Sequence, residues 1–313
     1  MNAPFDTQAD NIFDAFCVAF RERQDALSLM KQLSQLAKTV QRHRGMSMAL
    51  LAGNLVFQGD FDVLQAQLER RLACLEAFTS RTGGLLTNRD KENLHHAWCS
   101  IRADWQGDEV IDNFELHSHF IEQLQGMLVA LSKQIARPVS VLVAEATNQP
   151  APAEDAQAYP RLFKQIELLS FVSVQAPTMM EQIARIRGLA TYAAAKGECD
   201  YHHDRKLRYV ISLARAQHEK LRHQAERLEG ILGGAISSLL LIKTYELKLM
   251  FLLTMVEQDI LSGRTITASS HQVFKLASEI IDVYIKVVDD GLALLSRWHE
   301  EDMEAWLQSA SVA

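Results

Sequence analysis

The stretch that decides the fold reads Arg44-Gly45-Met46-Ser47-Met48-Ala49, and its pattern returns as Arg187-Gly188-Leu189-Ala190-Thr191-Tyr192-Ala193. Both copies place an Arg-Gly pair inside a long apolar stretch with helical periodicity. Glycine costs a helix interior about 1 kcal/mol relative to alanine, and burying an unpaired guanidinium costs several kcal/mol more. Because both costs occur twice, the repeat predicts an internal duplication in which the two arginines have a function.

Apolar residues on both sides of the repeat recur at spacings of three, four and seven, which is the period of an amphipathic helix. Eight helices are predicted, at residues 12–53, 61–82, 88–105, 110–136, 161–197, 201–230, 235–262 and 268–308. Thr87 or Asn88 is suited to cap the third of them. Short connections make neighbouring helices antiparallel. The sequence therefore predicts an all-α fold of two pseudo-repeated four-helix bundles with long helices.

The boundaries between these units follow from where the apolar periodicity stops. We expect a flexible N-terminus at residues 1–11, a first four-helix bundle at 12–147, a linker at 148–160 and a second four-helix bundle at 161–313. Prolines and small polar residues are concentrated in the linker. A second match, Ser118-His119 with Ser270-His271, falls near the start of the fourth and eighth helices and supports the duplication.

Composition excludes several classes of protein. The 313 residues carry a formal net charge of -7, so there is no basic field for nucleic acid or an anionic membrane. The four cysteines lack the spacing of a structural zinc site or a disulfide framework, and residues 1–11 lack the features of a signal peptide. Lys243, Glu246 and Lys248 interrupt the apolar run at 231–256, which favours a buried core helix over a membrane span. We expect a cytoplasmic protein.

Neither arginine of the repeat has an acidic residue three or four positions away on its own helix. Arg44 and Arg187 therefore each need a partner from elsewhere. A carboxylate on another helix is one candidate. The other is a small anion held between the two arginines, because a planar guanidinium matches a planar oxyanion such as nitrate, nitrite, bicarbonate or a small carboxylate.

The neighbours of the arginines have two interpretations each. Gly45 and Gly188 remove a side chain and let a ligand or a neighbouring helix come close, or they serve tight helix contact alone. Ser47 and Thr191 can donate hydroxyl hydrogen bonds to the ligand, or they can bond the backbone of their own helix.

These residues resemble the nitrate- and nitrite-sensing (NIT) domain family. The resemblance rests on the Arg-Gly segment that ends the first helix, on its second copy, and on Asn113-Phe114-Glu115-x-His117 at the start of the fourth helix. It covers about residues 20–300. It implies a double four-helix bundle that binds nitrate or nitrite near one arginine of each bundle, which by motif position are Arg44 and Arg187. It also implies a role in signal transduction and transcription regulation for nitrate assimilation.

Members of that family are joined to an RNA-binding ANTAR domain, a kinase, a cyclase or a chemotaxis module. Here only Gln308–Ala313 follow the eighth predicted helix. We therefore expect the signal to pass to a separate output protein, either an ANTAR-type RNA-binding regulator or a kinase. The sequence does not decide the oligomeric state, and a homodimer stays open.

Catalysis has little support in the sequence. It contains no Gly-x-Ser-x-Gly elbow, no P-loop and no Gly-x-Gly-x-x-Gly, so we expect neither an enzyme nor a cofactor. Paired histidines are adjacent or two apart, which disfavours a helical metal site; they are His95-His96, His117 with His119, and His202-His203. The alternative from another class is a non-catalytic helical scaffold or interaction protein that has lost ligand binding.

Overall fold

The computed structural model describes residues 7–148 and 159–310, and every regular element in those ranges is helical. The all-α prediction is therefore confirmed. The first helix begins at Thr7, inside the range predicted as a flexible N-terminus, and residues 1–6 lie outside the described residues. Most of the predicted linker, 149–158, also lies outside them.

The first half contains the four predicted helices and one more. The bounds are α1 Thr7–Leu51, α2 Gln58–Arg81, α3 Asn88–Arg102, α4 Val110–Ile135 and α5 Val139–Ala146. Thr87 caps α3 in a reciprocal capping box with Asp90. The short helix α5 was not predicted, since Pro138 ends the apolar periodicity of α4 and the eight residues beyond it are too few for a periodic pattern.

The second half repeats this order of long helices. The bounds are α6 Tyr159–Ser170, α7 Ala176–Lys196, α8 Tyr201–Leu232, α9 Leu239–Met255 and α10 Ser270–Ala310. A π-helical turn, Phe171–Gln175, joins α6 to α7, so the single helix predicted at 161–197 has one irregularity. Pro177 lies two residues after its end, and a proline has no N–H to give to the preceding turn.

Helices α1 and α7 lie side by side and run in the same direction. Gln41 of α1 donates a hydrogen bond to Glu181 of α7, and seven residues further along each helix Met48 lies against Gly188. Arg44 and Arg187 therefore come to one level of the molecule, at the contact between the two halves.

Helices α4 and α10 flank this central pair and run antiparallel to it. Against α1, for example, Gln35 bonds Asp289 of α10 while Lys38, further along α1, pairs with Asp282, earlier in α10. Contacts of α1 with α4 and with α7, and of α10 with α7, are the most extensive between helices of the described residues. The first and fourth long helices of both halves thus form the centre, and the pairs α2/α3 and α8/α9 lie outside it.

The two halves share a hydrophobic core rather than burying one each. A single cluster of buried side chains joins Leu33 and Leu124 of the first half to Ile183 and Val288 of the second. A contact network of this kind identifies one contiguous core. Movement of one half relative to the other therefore has to repack the surfaces between α1, α7 and α10.

Helix α9 contains most of the apolar run at 231–256. It buries one face, including Leu249 and Leu252, whereas Leu247 is 79% exposed and Phe251 is 61% exposed. Within the described residues, no single helix has both the length and the apolar character needed to cross a membrane. Among the described helices, the consecutive pair α4 and α5 meets that measure when taken together, and the chain bends by 75° between them.

Candidate functional site: two buried arginines

Arg44 is fully buried and its charge is paired. Its Nη1 lies 2.7 Å from Glu181 Oε1, and its Nη2 lies 3.2 Å from Glu181 Oε2. Nη1 also donates to Ser118 Oγ of α4 at 2.9 Å. The guanidinium and the carboxylate meet as a two-point fork, which is the strongest geometry for this pair. Of the two partners considered for Arg44 from sequence, the structure supplies the carboxylate on another helix.

Glu181 is itself held by three donors. Besides Arg44, its oxygens accept from Gln41 Nε2 at 3.0 Å and from Arg185 Nε at 2.8 Å. Arg185 continues to Glu122 of α4 at 2.9 Å. Because a buried ion pair is favourable only when its remaining polar atoms are satisfied, these extra bonds explain how the Glu181 carboxylate is accommodated beneath the surface.

Arg187 is equally buried but its charge is not paired. Its Nη1 donates to Ser278 Oγ of α10 at 2.9 Å, while Nε and Nη2 find no acceptor among the described residues. No carboxylate in the described part of the chain comes within ion-pairing distance of it. Burial, together with the charges of Arg44 and Arg42, lowers the pKa of Arg187 to about 9. A buried cation with two unused donors is the least satisfied group of this region.

The two arginines have matching surroundings. The Arg44 guanidinium lies 4.9 Å from the ring centre of Phe114, and that of Arg187 lies 4.9 Å from the ring centre of Phe274. The two serines, Ser118 and Ser278, likewise correspond, since each follows its phenylalanine by one helical turn and contacts the same arginine. Each half of the chain therefore surrounds its arginine with the same two side chains.

This correspondence corrects the alignment of the fourth and eighth helices. The match of Ser118-His119 with Ser270-His271 is wrong, because the serine that contacts Arg187 is Ser278. Ser270 instead accepts a hydrogen bond from Asn54 Nδ2 at the start of α10. The true repeat is Phe-x-Leu-x-Ser, at 114–118 and again at 274–278. In the sequence, that five-residue pattern was the signal from which the contacts of each arginine with a phenylalanine and a serine could have been predicted.

Both glycines of the repeat permit close helix contact. A Cβ on Gly45 would lie 2.9 Å from Phe274 Cε2 and 3.3 Å from Arg187 Nε. A Cβ on Gly188 would lie 2.9 Å from Met48 Sδ. Gly45 therefore borders the unpaired donor Nε of Arg187, whereas Gly188 borders a methionine. The close approach predicted for both glycines is confirmed.

The two hydroxyl groups differ. Ser47 Oγ lies 3.0 Å from the carbonyl of Arg44 and 2.7 Å from Asn113 Oδ1, so it serves its own helix and α4. Thr191 is fully buried, and its Oγ1 has no partner among the described residues. Of the two, only Thr191 has an unused polar atom.

A pair of buried histidines adjoins Arg44. His117 Nδ1 donates to the carbonyl of Asn113 at 2.7 Å, which leaves its Nε2 as the acceptor for His43 Nδ1 at 2.8 Å. Burial lowers the pKa of His43 to about 3, and burial together with the neighbouring His43 takes the pKa of His117 well below its usual value. Both imidazoles are therefore neutral. Nothing in the spacing of His43 in the sequence predicted this contact.

The described residues contain no group of three or more His, Cys, Asp or Glu arranged to hold a metal ion. Sequence reasoning also missed Glu181, since an isolated glutamate in a helix carries no signal of burial.

Comparisons with known proteins leave the function to be inferred from this geometry. No protein-family model matches the chain, and no curated protein or solved structure matches it significantly.

Proposed function

We propose that this chain is a regulatory protein that binds a small planar oxyanion, nitrate or nitrite, at Arg187. The observation that carries the proposal is the buried Arg187 guanidinium, whose Nε and Nη2 have no acceptor among the described residues. Nε and Nη2 are two donors of one planar fork. Two oxygens of nitrate or nitrite, lying in one plane, match them.

Ligand binding at this site stabilises the folded chain. A buried cation without a counterion costs several kcal/mol, and an anion that binds only the folded state removes part of that cost. By linkage, an anion present at 100 times its dissociation constant adds about 2.7 kcal/mol to the free energy of unfolding. Thr191, with its unpartnered buried hydroxyl, is a further donor for the same anion.

The signal is carried by the contact between α1 and α7. Gly45 of α1 borders Arg187 Nε, so an anion at that atom changes what α1 packs against. An anion shifts such a two-state contact only by its difference in affinity for the two states, and a 100-fold shift needs about 2.7 kcal/mol. The resemblance to the NIT family supports a non-enzymatic, cytoplasmic role in nitrate-dependent regulation, with an ANTAR-type regulator or a kinase as the separate output protein.

Isothermal titration calorimetry tests the proposal. Nitrate and nitrite are titrated into the full chain, with bicarbonate as a second planar anion and chloride as a spherical one. We expect nitrate or nitrite binding at millimolar concentration or tighter, and its loss in Arg187→Gln. Arg215→Gln is the matched control, because Arg215 pairs with Glu257 at the surface. The proposal fails if neither anion binds, or if both variants bind equally.

The second candidate is a scaffold or interaction protein without ligand binding. It is favoured by Glu181, which already neutralises one of the two arginines, and by the exposed apolar residues Leu247 and Phe251 of α9. The same calorimetry separates the two functions, since a scaffold shows no anion binding at any concentration that leaves the protein folded.

A further inference from the structure

The correspondence between the two arginine sites breaks at one pair of positions. Lys38 lies six positions before Arg44 on α1, just as Glu181 lies six positions before Arg187 on α7. Glu181 of α7 contacts Arg44 of α1. The residue of α1 at the position corresponding to Glu181, and therefore placed to contact Arg187, is Lys38. A lysine cannot pair with an arginine, and Lys38 instead pairs with Asp282 of α10 at 2.8 Å.

The other charged residues that are linked to Glu181 by hydrogen bonds have counterparts of the same charge at the corresponding positions around Arg187. Arg185, which bonds Glu181, lies two positions before Arg187, and its counterpart two positions before Arg44 is Arg42. Glu122, which bonds Arg185, lies four positions after the serine of its half, and Asp282 lies four positions after the serine of the other. The charges of Arg42 and Asp282 both act on Arg187.

Apart from Asp282 in place of Glu122, which keeps a carboxylate, the two networks differ at two of these positions. One is the carboxylate itself, where Lys38 stands in place of Glu181. The other is Gln41, which donates to that carboxylate and has Ala184 as its counterpart. Both differences remove a group that serves the buried ion pair, so the Arg187 site lacks both the carboxylate and the side chain that would hold it.

We propose that Glu181 is a built-in anion for Arg44, and that Lys38 leaves the corresponding place on Arg187 for the external ligand. This inference rests on the proposed function and assigns its stoichiometry: one anion per chain, at Arg187, with Arg44 occupied by the protein's own carboxylate. The ligand binds Arg187 through two oxygens, as Glu181 binds Arg44, but at the unpaired Nε/Nη2 edge of the guanidinium rather than at the Nη1/Nη2 edge.

The inference changes the expected chemistry of the site. Two arginines clamping one anion would lose binding equally when either is removed. A paired Arg44 instead affects anion affinity only through its charge and its contacts. The affinity depends mainly on Arg187 and on the identity of residue 38. A carboxylate placed at position 38 competes with nitrate as an intramolecular ligand.

The deciding experiment is Lys38→Glu in the full chain, titrated with nitrate. Lys38 is only partly buried, so the substitution does not force a charge into the core. We expect nitrate affinity to fall at least 30-fold, and the thermal midpoint in nitrate-free buffer to rise. Lys31→Glu is the matched control: it makes the same charge change seven residues earlier on α1, near Asp289, and is expected to leave nitrate affinity within threefold.

A thermal double-mutant cycle in nitrate-free buffer keeps the inference separate from the proposed function. The stabilisation by Lys38→Glu is expected to disappear when Arg187→Gln is added. If the wild-type chain binds no nitrate but this coupling is present, the proposed function fails and the correspondence of residues 38 and 181 stands. If nitrate binds and Lys38→Glu behaves like Lys31→Glu in both measurements, the inference is overturned and the function stands.

Discussion

Glu181 places both of its carboxylate oxygens on the guanidinium of Arg44, at 2.7 and 3.2 Å, across the contact between α7 and α1. The two charges belong to different halves of the duplicated chain. Their pairing therefore joins the halves at the level where Arg187 is left with two unused donors. Two arginines with otherwise matching surroundings therefore differ in whether a carboxylate neutralises them.

The first prediction concerns the stability of this buried pair. Glu181→Met is expected to lower the free energy of unfolding by about 3–5 kcal/mol, because it leaves Arg44 buried without a counterion. Arg44→Met is expected to cost less, because Glu181 keeps its ion pair with Arg185. The double variant is expected to lose much less than the sum, since both charges are gone. Urea unfolding at constant pH measures all three. Removing Arg215 or Glu257, a surface pair at 2.7 Å, is the control and is expected to cost about 0–1 kcal/mol. Additive losses would show that the pair is not coupled.

The second prediction concerns the close contact at Gly45. In Gly45→Ala the added methyl meets Phe274 and Arg187 Nε, so we expect a loss of about 1–3 kcal/mol in unfolding free energy together with weaker nitrate binding. Gly126→Ala is the control within α4, where nothing lies within 4 Å of an added Cβ; it is expected to gain about 0.5–1 kcal/mol. Chemical denaturation measures the stability of both variants, and calorimetry measures their nitrate affinity. Equal stability and equal affinity in the two variants would contradict the close contact at Gly45.

The third prediction separates the two hydroxyl groups of the repeat. Thr191→Val removes a buried hydroxyl that has no partner among the described residues, so the ligand-free chain is expected to be at least as stable as wild type. If that hydroxyl donates to the anion, nitrate affinity falls in the same variant. Ser47→Ala is expected to do the reverse: it costs about 1 kcal/mol of stability because it breaks the bond to Asn113, and it leaves affinity unchanged. A Thr191→Val variant with normal nitrate binding would remove Thr191 from the site.

The fourth prediction is a loss of stability in mild acid. Burial lowers the pKa of His43 to about 3 from a usual value of 6.5, and the pKa of His117 is also lowered. The unfolded chain therefore takes up protons that the folded chain does not. The contribution of each neutral histidine to the free energy of unfolding is complete above about pH 6.5. It decreases by about 1.4 kcal/mol per pH unit as the pH falls below that value toward the pKa of the folded state.

Urea unfolding at pH 7 and pH 5 measures this effect. In His43→Gln the difference between the two pH values is expected to shrink by about 2 kcal/mol, whatever the substitution does to stability at pH 7. His95→Gln, at an exposed position on α3, is expected to keep the wild-type difference. A wild-type difference retained in His43→Gln would mean that this histidine is not held neutral.

The sequence by itself determined the long helices, their order and the duplication. The apolar period of each segment, the capping Thr87, and breaks such as Gly197 and Gly233 in left-handed conformation act within a few residues of the chain, so local physics sets them. The same local reasoning identified Arg44 and Arg187 as arginines inside apolar helices, and predicted the close approach at the glycines beside them.

Only the tertiary structure decided how those arginines are used. Glu181 and Lys38 are both ordinary charged residues of long helices, and nothing within one helix distinguishes a carboxylate bound to Arg44 from one in solvent. That distinction arises where α1 and α7 meet, since the partner of each guanidinium comes from another helix and its burial depends on contacts distant in the sequence. The duplication predicts two equivalent arginines; the contact between the halves pairs Arg44 and leaves Arg187 without a carboxylate among the described residues.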